Sequence, residues 1–255
     1  MQKTWHIGCS GFHYKEWKGE FYPEKLAQSR WFDYYASQFD TLELNTSFYR
    51  FPTLKALEAW HQKAPAGFTF SAKMPRSITH FKKFNDTARM VNDFYSVLRA
   101  GLKEKLGCVL IQLPPQYQFS HENLEKILAQ ADYSFQNVIE FRHESWWRED
   151  VQQRLSAMNI SFCGVSFPKI QFDDVVANHQ VCYYRFHGVP KLFYSEYEPS
   201  FIEKIFHQVA ENKRINTAYI YFNNTASMAA LHNARHFIQL VKNANLNHDH
   251  SNSMV

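Results

Sequence analysis

The sequence predicts an α/β protein, a single (β/α)8 barrel of the TIM type, from three observations. About eight short apolar runs with strand character occur in series, helical patterns separate most of them, and every connection returns on the same side of the sheet. Doubly wound sheets usually stop at about five to seven strands, so a closed cylinder fits the count better.

The runs are Trp5–Cys9, Thr41–Asn45, Thr69–Lys73, Val109–Leu113, Val138–Arg142, Ser161–Val165, Cys182–His187 and Tyr219–Asn223. Helix starts stand between them. Thr53 precedes LKALEAWHQKA and Ser120 precedes HENLEKILAQA, both as N-caps, and Pro199 takes the first helical position before FIEKIFHQVAEN. Leu124, Ile127 and Leu128 recur at helical spacing, which gives that helix one face to bury. The longest helical candidates are Asp86–Lys105 and Ala226–Lys242. After the sixth run, PKIQFDDVVANHQ loses the pattern, so the helix there is expected to be irregular or missing. The barrel domain is expected to span residues 1–244. The tail 245–255, NLNHDHSNSMV, reads as disordered surface, its His-Asp-His a solvated end rather than a metal site.

Composition narrows the class. The chain has 255 residues, 45% of them hydrophobic, which is ample for one core. No apolar run approaches the roughly 20 residues of a membrane helix, and MQKTWHIGCSG lacks a secretory signal pattern, so no membrane association and a cytoplasmic location are expected. Cys9, Cys108, Cys163 and Cys182 lie in or beside strand runs without CxxC pairing, as buried free thiols do. The net charge of +4 permits an anionic ligand without requiring nucleic acid. Aromatics reach 17%. Those in loops after strands, among them Phe12, Tyr14, Trp17, Phe48, Tyr49, Trp146, Trp147, Phe193 and Tyr194, either form a stacking wall for a ligand or cap the core.

Strand parity carries the functional reading. Bulky apolar residues of a barrel strand face the helices, so their neighbours face inward. Leu42 and Leu44 outward leave Glu43 and Asn45 inward; Phe70 and Ala72 leave Ser71 and Lys73. The same parity turns in Gln112, Glu140 and Arg142, then Ser166, Tyr183, Arg185, His187, Tyr221 and Asn223. These polar residues crowd the C-terminal strand ends, the face on which barrel enzymes carry chemistry. Glu140 and Glu43 are candidate acid and base, His187 a proton shuttle, and Lys73 a cation, a base or a Schiff-base amine. Arg142 and Arg185 are forks for a carboxylate or phosphate. Asn45, Gln112 and Asn223 would orient a polar ligand, with Tyr183, His143, Asn224, Trp146 and Phe12 as further ligand contacts. The segment FNNTAS (Phe222–Ser227) either holds phosphate on its backbone N–H groups or simply caps the last helix.

The competing reading makes the charged residues an internal ion-pair network with no chemistry. No cofactor is expected, since Gly-rich nucleotide, Walker and GxSxG patterns are missing from the sequence. No HExxH-like cluster suggests a metal; a divalent ion would have to use Glu43, Glu140 and His187.

Taken together, IGCSGFHYKEWKGEFYP (Ile7–Pro23), TLELNTSFYRFP (Thr41–Pro52), Lys73, Thr79-His80, LGCVLIQLPPQY (Leu106–Tyr117), IEFRHESW (Ile139–Trp146), YYRFHG (Tyr183–Gly188) and FNNTASMAALHNA (Phe222–Ala234) resemble the ordered motifs of the YecE-like family, domain of unknown function 72. The resemblance covers nearly the whole chain. It implies a TIM barrel and supplies no reaction. Its motif positions correspond here to Glu43, Asn45, Lys73, Gln112, Glu140, Arg142, His143, Arg185, His187 and Asn223. Phe12 departs from the family's usual Trp, and Ser166 from a frequent Asp.

The expected function is acid–base enzymology on a small anionic or polyhydroxylated ligand in the barrel mouth. One alternative is a nucleic-acid-binding or phosphodiester-cleaving barrel with Lys73, Arg76, Lys82, Lys83 and Arg148 on its rim. The other is a barrel that binds a small molecule without turning it over.

Overall fold

The computed structural model describes residues 3–252, with side chains to residue 246. Its strands are β1 (Thr4–Ser10), β2 (Thr41–Leu44), β3 (Thr69–Lys73), β4 (Leu106–Gln112), β5 (Asn137–Glu140), β6 (Ile160–Phe162), β7 (Gly164–Ser166), β8 (Val181–Phe186) and β9 (Thr217–Phe222). All pair in parallel, in the order β6-β5-β4-β3-β2-β1-β9-β8-β7. β6 pairs with β5 and β7 with β8, and only Cys163 separates the two. They are halves of one strand, so the cylinder closes through the chain itself and has eight staves, as the sequence pattern predicts.

Helices α1 (Trp31–Ala36), α2 (Thr46–Tyr49), α3 (Leu54–Lys63), α4 (Ala88–Leu102), α5 (His121–Leu128), α6 (Glu149–Ala157), α7 (Pro199–Glu211) and α8 (Ala229–Asn252) fill the connections. Thr53 and Ser120 cap α3 and α5, accepting from the N–H groups of Ala56 and Asn123, and Pro199 opens α7. Between β7 and β8 no helix forms; Tyr184 Oη donates to the Asp173 carbonyl and Asn178 bonds the backbone of Ile160 and Phe162 instead. The tail differs from the sequence expectation. α8 runs on through residues 245–252, because a helix already nucleated extends at little cost; residues 253–255 lie outside the described residues.

Parity divides two apolar layers. Leu42, Leu44, Phe70, Ala72, Ile139, Phe141, Tyr184, Phe186, Ile220 and Phe222 join the core between strands and helices. Cys108, Leu110, Val138, Cys163, Val165, Tyr183, Tyr219 and Tyr221 fill the barrel interior. The interior tyrosines keep their hydroxyls paired: Tyr221 meets Thr41 Oγ1 at 2.5 Å and Ser71 Oγ at 3.0 Å. These paired hydroxyls form a polar floor beneath the charged residues. All four cysteines are free and buried. Among the described residues, no helix is long and apolar enough to cross a membrane.

Candidate functional site

Five charged or titratable side chains from three strands and their ends, Glu43 of β2, Glu140 and Arg142 of β5, and Arg185 and His187 of β8, converge above the tyrosine floor. Arg185, on β8, is the hub. Its Nη2 donates to Glu43 Oε1 at 2.6 Å, and its Nη1 to Glu140 Oε2 at 2.5 Å. Tyr183 Oη donates to the other Glu43 oxygen at 2.7 Å. Arg142 Nε binds Glu140 Oε1, while Arg142 Nη2 lies 3.0 Å from His187 Nε2. Glu43, Glu140 and His187 are wholly buried, and Arg185 is 1% exposed.

The electrostatics set the protonation states. Burial alone would raise the Glu140 carboxyl, yet Arg142 and Arg185 hold it well below the usual carboxylate range. Glu140 is therefore a fixed anion, unsuited to donate a proton. Burial, then the same two guanidinium groups, hold His187 well below the usual histidine range. It is a neutral imidazole. Guanidinium N–H groups face its Nε2, so that nitrogen accepts and Nδ1 carries the proton. The Asn223 amide nitrogen lies 2.8 Å from Nδ1; with the proton on Nδ1, the amide turned by 180° presents its oxygen there instead, since the network decides which way an amide points. The ring face of Phe167 covers Arg142 at 4.0 Å.

Lys73, at the end of β3, stands apart from this network. Ser47 Oγ donates to its backbone carbonyl at 2.7 Å, and its Nζ lies 3.9 Å from the Phe48 ring centre. Among the described residues no carboxylate pairs with it within 4 Å. Burial, and next the Arg185 charge, pull its amine from 10.5 down to about 7. Next to it, His80 is pushed down to about 4 by burial and by Lys73. His80 Nδ1 shares a 2.8 Å bond with Thr79 Oγ1, and its Nε2 faces the Gln112 amide at 3.4 Å.

A cavity of about 410 Å³ opens over this end of the barrel, lined by Lys73, Arg185, Asn45, Asn223, Thr225 and the aromatic rim of Tyr14, Phe48, Tyr49, Phe193 and Tyr194. A smaller hollow of about 200 Å³ adjoins Glu43, Asn45, Phe12 and Tyr14. Arg185 Nε and Asn45 Oδ1 are buried without hydrogen-bond partners, and both residues line the larger cavity. Larger hollows of about 490 and 570 Å³ sit at the opposite end, beside Trp5, Asp40 and Phe68 and beside Lys3, Phe206 and Asn216. The converging charges lie at the C-terminal strand ends, which is where barrels place chemistry.

The structure thus brings together Glu43, Lys73, Gln112, Glu140, Arg142, Tyr183, Arg185, His187, Asn223 and Asn45. It does not bring the other expected contacts to the cavity. His143 Nδ1 accepts from the Ser145 backbone N–H and caps a short turn. Trp146 is fully buried against Phe141 and donates to the Tyr117 carbonyl at 2.6 Å. Asn224 pins the Ser195 carbonyl and Asn233. Phe12 packs on Phe32 and Trp60 at the edge of the smaller hollow. Ser166 is turned outward, bonding Tyr197 Oη at 2.9 Å, because Val165, though apolar, takes the inward position. Parity misses Phe167, whose signal was an aromatic directly after the sixth run. In FNNTAS, the N–H groups of Asn223 and Ala226 already bind the carbonyls of Phe186 and Phe193, which leaves less backbone for phosphate. Both carboxylates are held by arginines, and among the described residues no group of three His, Cys, Asp or Glu could hold a metal.

A parallel eight-stave barrel with a buried ionic ring at its C-terminal mouth defines a TIM-barrel protein. Comparison with known proteins places it further. The family described as protein of unknown function DUF72 matches residues 6–253, and the chain belongs to that family. The UPF0759 protein YunF of Bacillus subtilis (strain 168) is 28% identical over 162 residues, a match spanning 60% of this chain and 56% of YunF. The crystal structure of a DUF72 family protein from Thermotoga maritima is 28% identical with a TM-score of 0.84, covering 94% of this chain and 99% of that one. One from Enterococcus faecalis, 18% identical with a TM-score of 0.79 over 94% and 96%, is alike in fold.

Proposed function

We propose that this protein is an enzyme acting on a small anionic ligand, phosphate- or carboxylate-bearing or polyhydroxylated, in the barrel mouth, with Lys73 as its proton-transferring group. The supporting observation is that Lys73 is 8% exposed, lacks a carboxylate partner among the described residues and borders a cavity of about 410 Å³. A structural ion-pair network explains Glu43, Glu140, Arg142 and Arg185, which satisfy one another. It does not explain a buried amine left outside it, whose charged form is costly to desolvate and whose retention calls for a function. The inner wall of the cavity carries the buried Lys73 and Arg185, while its lining carboxylate, Glu16, is exposed, so the deep end of the mouth favours negative charge.

The roles differ from a simple two-carboxylate scheme. Glu140 and Glu43 position the guanidinium groups, and Arg185, which borders the cavity and has its buried Nε unpaired, is the candidate donor to an anion. His187 accepts from Arg142 and keeps its fork in place. Lys73 alone has a proton to exchange near neutral pH.

A thermal-shift screen of small phosphates, carboxylates and sugar acids on the purified chain tests this. Ligands that raise the melting temperature of the parent and lose their effect in Lys73→Met support it; equal shifts in both proteins refute it.

A second reading has its own observation. Arg76 lies 5.3 and 5.4 Å from the ring centres of Tyr49 and Phe81, which are 63% and 70% exposed at the rim. Such a basic aromatic platform suits single-stranded nucleic acid. Binding that weakens steeply with salt and with Arg76→Ala would favour this reading.

A further inference from the structure

We propose that Lys73 Nζ condenses with the carbonyl of a small anionic oxo compound to form an imine in the barrel mouth. This rests on the anion-site reading above and names the substrate class: an aldehyde or ketone that also carries a carboxylate or phosphate.

Geometry carries the argument. Imine formation needs an amine lone pair that is neither ion-paired nor fully solvated, held still beside a space that admits the carbonyl. Lys73 meets each condition. Ser47 fixes its backbone carbonyl and the Phe48 ring lies against its Nζ, with the cavity open beside it. Glu43 and Glu140, the carboxylates that would otherwise capture the ammonium, are taken by Arg185 and Arg142. The network therefore works as a device that keeps the carboxylates away from the amine.

Two orphaned atoms suit the rest of such a substrate. Arg185 Nε–H is a buried donor for its anionic group, and Asn45 Oδ1 a buried acceptor for a hydroxyl. A volume of about 410 Å³ is at the small end of ligand sites, which limits the substrate to metabolite size.

The step balances without any redox partner. The neutral amine attacks the carbonyl carbon, a C–N bond forms, and the carbonyl π pair moves to oxygen, which takes up a proton as the nitrogen loses one. A proton from solvent turns the carbinolamine hydroxyl into water, which leaves as the nitrogen lone pair closes the C=N bond, giving the protonated imine. The imine formed is an electron sink for the adjacent carbon. The lowered amine value agrees with this chemistry, since at neutral pH Lys73 has roughly a thousandfold more free base than an ordinary lysine.

The same chemistry fits an oxo substrate or an aldehyde cofactor bearing phosphate, and the test separates them. The full chain is incubated with glyoxylate, with pyruvate or with pyridoxal 5′-phosphate, each with and without sodium borohydride, and adducts are mapped by peptide mass spectrometry. The expected result is a borohydride-dependent adduct on Lys73, formed roughly 10- to 100-fold faster than on any exposed lysine, suppressed by oxalate or inorganic phosphate and lost in Lys73→Arg. Labelling by the small oxo acids indicates a substrate, and labelling by pyridoxal 5′-phosphate alone indicates a cofactor. Adducts spread over exposed lysines with Lys73 unlabelled overturn the imine, and that result needs no variant. If oxalate or phosphate stabilises the parent while Lys73 stays unlabelled, the imine falls and the anion site stands; if neither anion shifts the melting temperature and no adduct forms, both fall.

Discussion

Arg185 and Glu140 meet inside the barrel at 2.5 Å, and neither side chain is more than 1% exposed. The pair links β8 to β5 across the interior, where desolvating two charges costs several kcal/mol, offset by the contacts of Arg185 with Glu43 and of Glu140 with Arg142. Its role is best read as positional.

Removing one charge should show this. Glu140→Gln leaves Arg142 and Arg185 buried with a weaker partner, so unfolding by denaturant at pH 7 should show a loss of about 3–5 kcal/mol. Glu140 has a depressed folded value, so its stabilisation is present above the ordinary 4.5 and is lost as pH falls toward that depressed value. The gap between parent and variant should therefore narrow below about pH 4.5. A variant as stable as the parent at pH 7 would show that the network tolerates an uncompensated charge.

Tyr183→Phe makes a milder cut in the same network. It removes the hydroxyl that donates to Glu43 and leaves Arg185 on the other oxygen. The expected cost is about 1–2 kcal/mol, the worth of one hydrogen bond to a charged group. A loss as large as that of Glu140→Gln would mean that the Tyr183 hydroxyl is needed to hold Glu43 and Arg185 together, since the ring contacts with Tyr219 and Tyr221 survive the substitution.

Lys73→Met should move stability the other way. The folded amine value, about 7, lies below the ordinary 10.5, so between these the unfolded chain binds more protons and stability rises with pH. At pH 7 the parent carries the penalty and the variant does not. We expect a gain of about 1–3 kcal/mol, less than full linkage because the Phe48 face favours the ammonium. Melting temperatures recorded from about pH 7 to about pH 10 should converge as the penalty disappears. A destabilised variant at pH 7 would mean the ammonium is compensated in the resting protein.

The contrast between these residues shows what the sequence could disclose. Parity exposed Glu43, Lys73, Glu140 and Arg185 because each is flanked by apolar residues that pack outward, such as Leu42 and Leu44 around Glu43. It failed at Ser166, where Val165 is apolar and inward, so the outward rule reversed. Loop residues have no period, so in the sequence Trp146 and Asn224 read as ligand contacts while the fold uses both as fasteners. Pairing was equally illegible. Which carboxylate meets which arginine depends on barrel closure, joining residues as far apart as Glu43 and Arg185. The isolation of Lys73 emerges only once those pairs are known.

His187 gives the remaining prediction. The groups facing it are Arg142 and Arg185, which disfavour its protonation, Glu140 at 3.7 Å, which favours it, and the polar Asn223 and aromatic Phe167. Burial and the two arginines prevail, so the ring should stay neutral, with its proton on Nδ1, through the pH range in which an ordinary histidine titrates. Nitrogen chemical shifts of labelled histidine would report both the charge and the tautomer. Arg142→Met removes one cation and one donor while Glu140 remains, so the His187 value should rise toward the ordinary histidine range and the ring should begin to titrate as pH falls. An imidazole that stays neutral throughout in Arg142→Met would assign its state to burial alone and remove Arg142 from the account of this side chain.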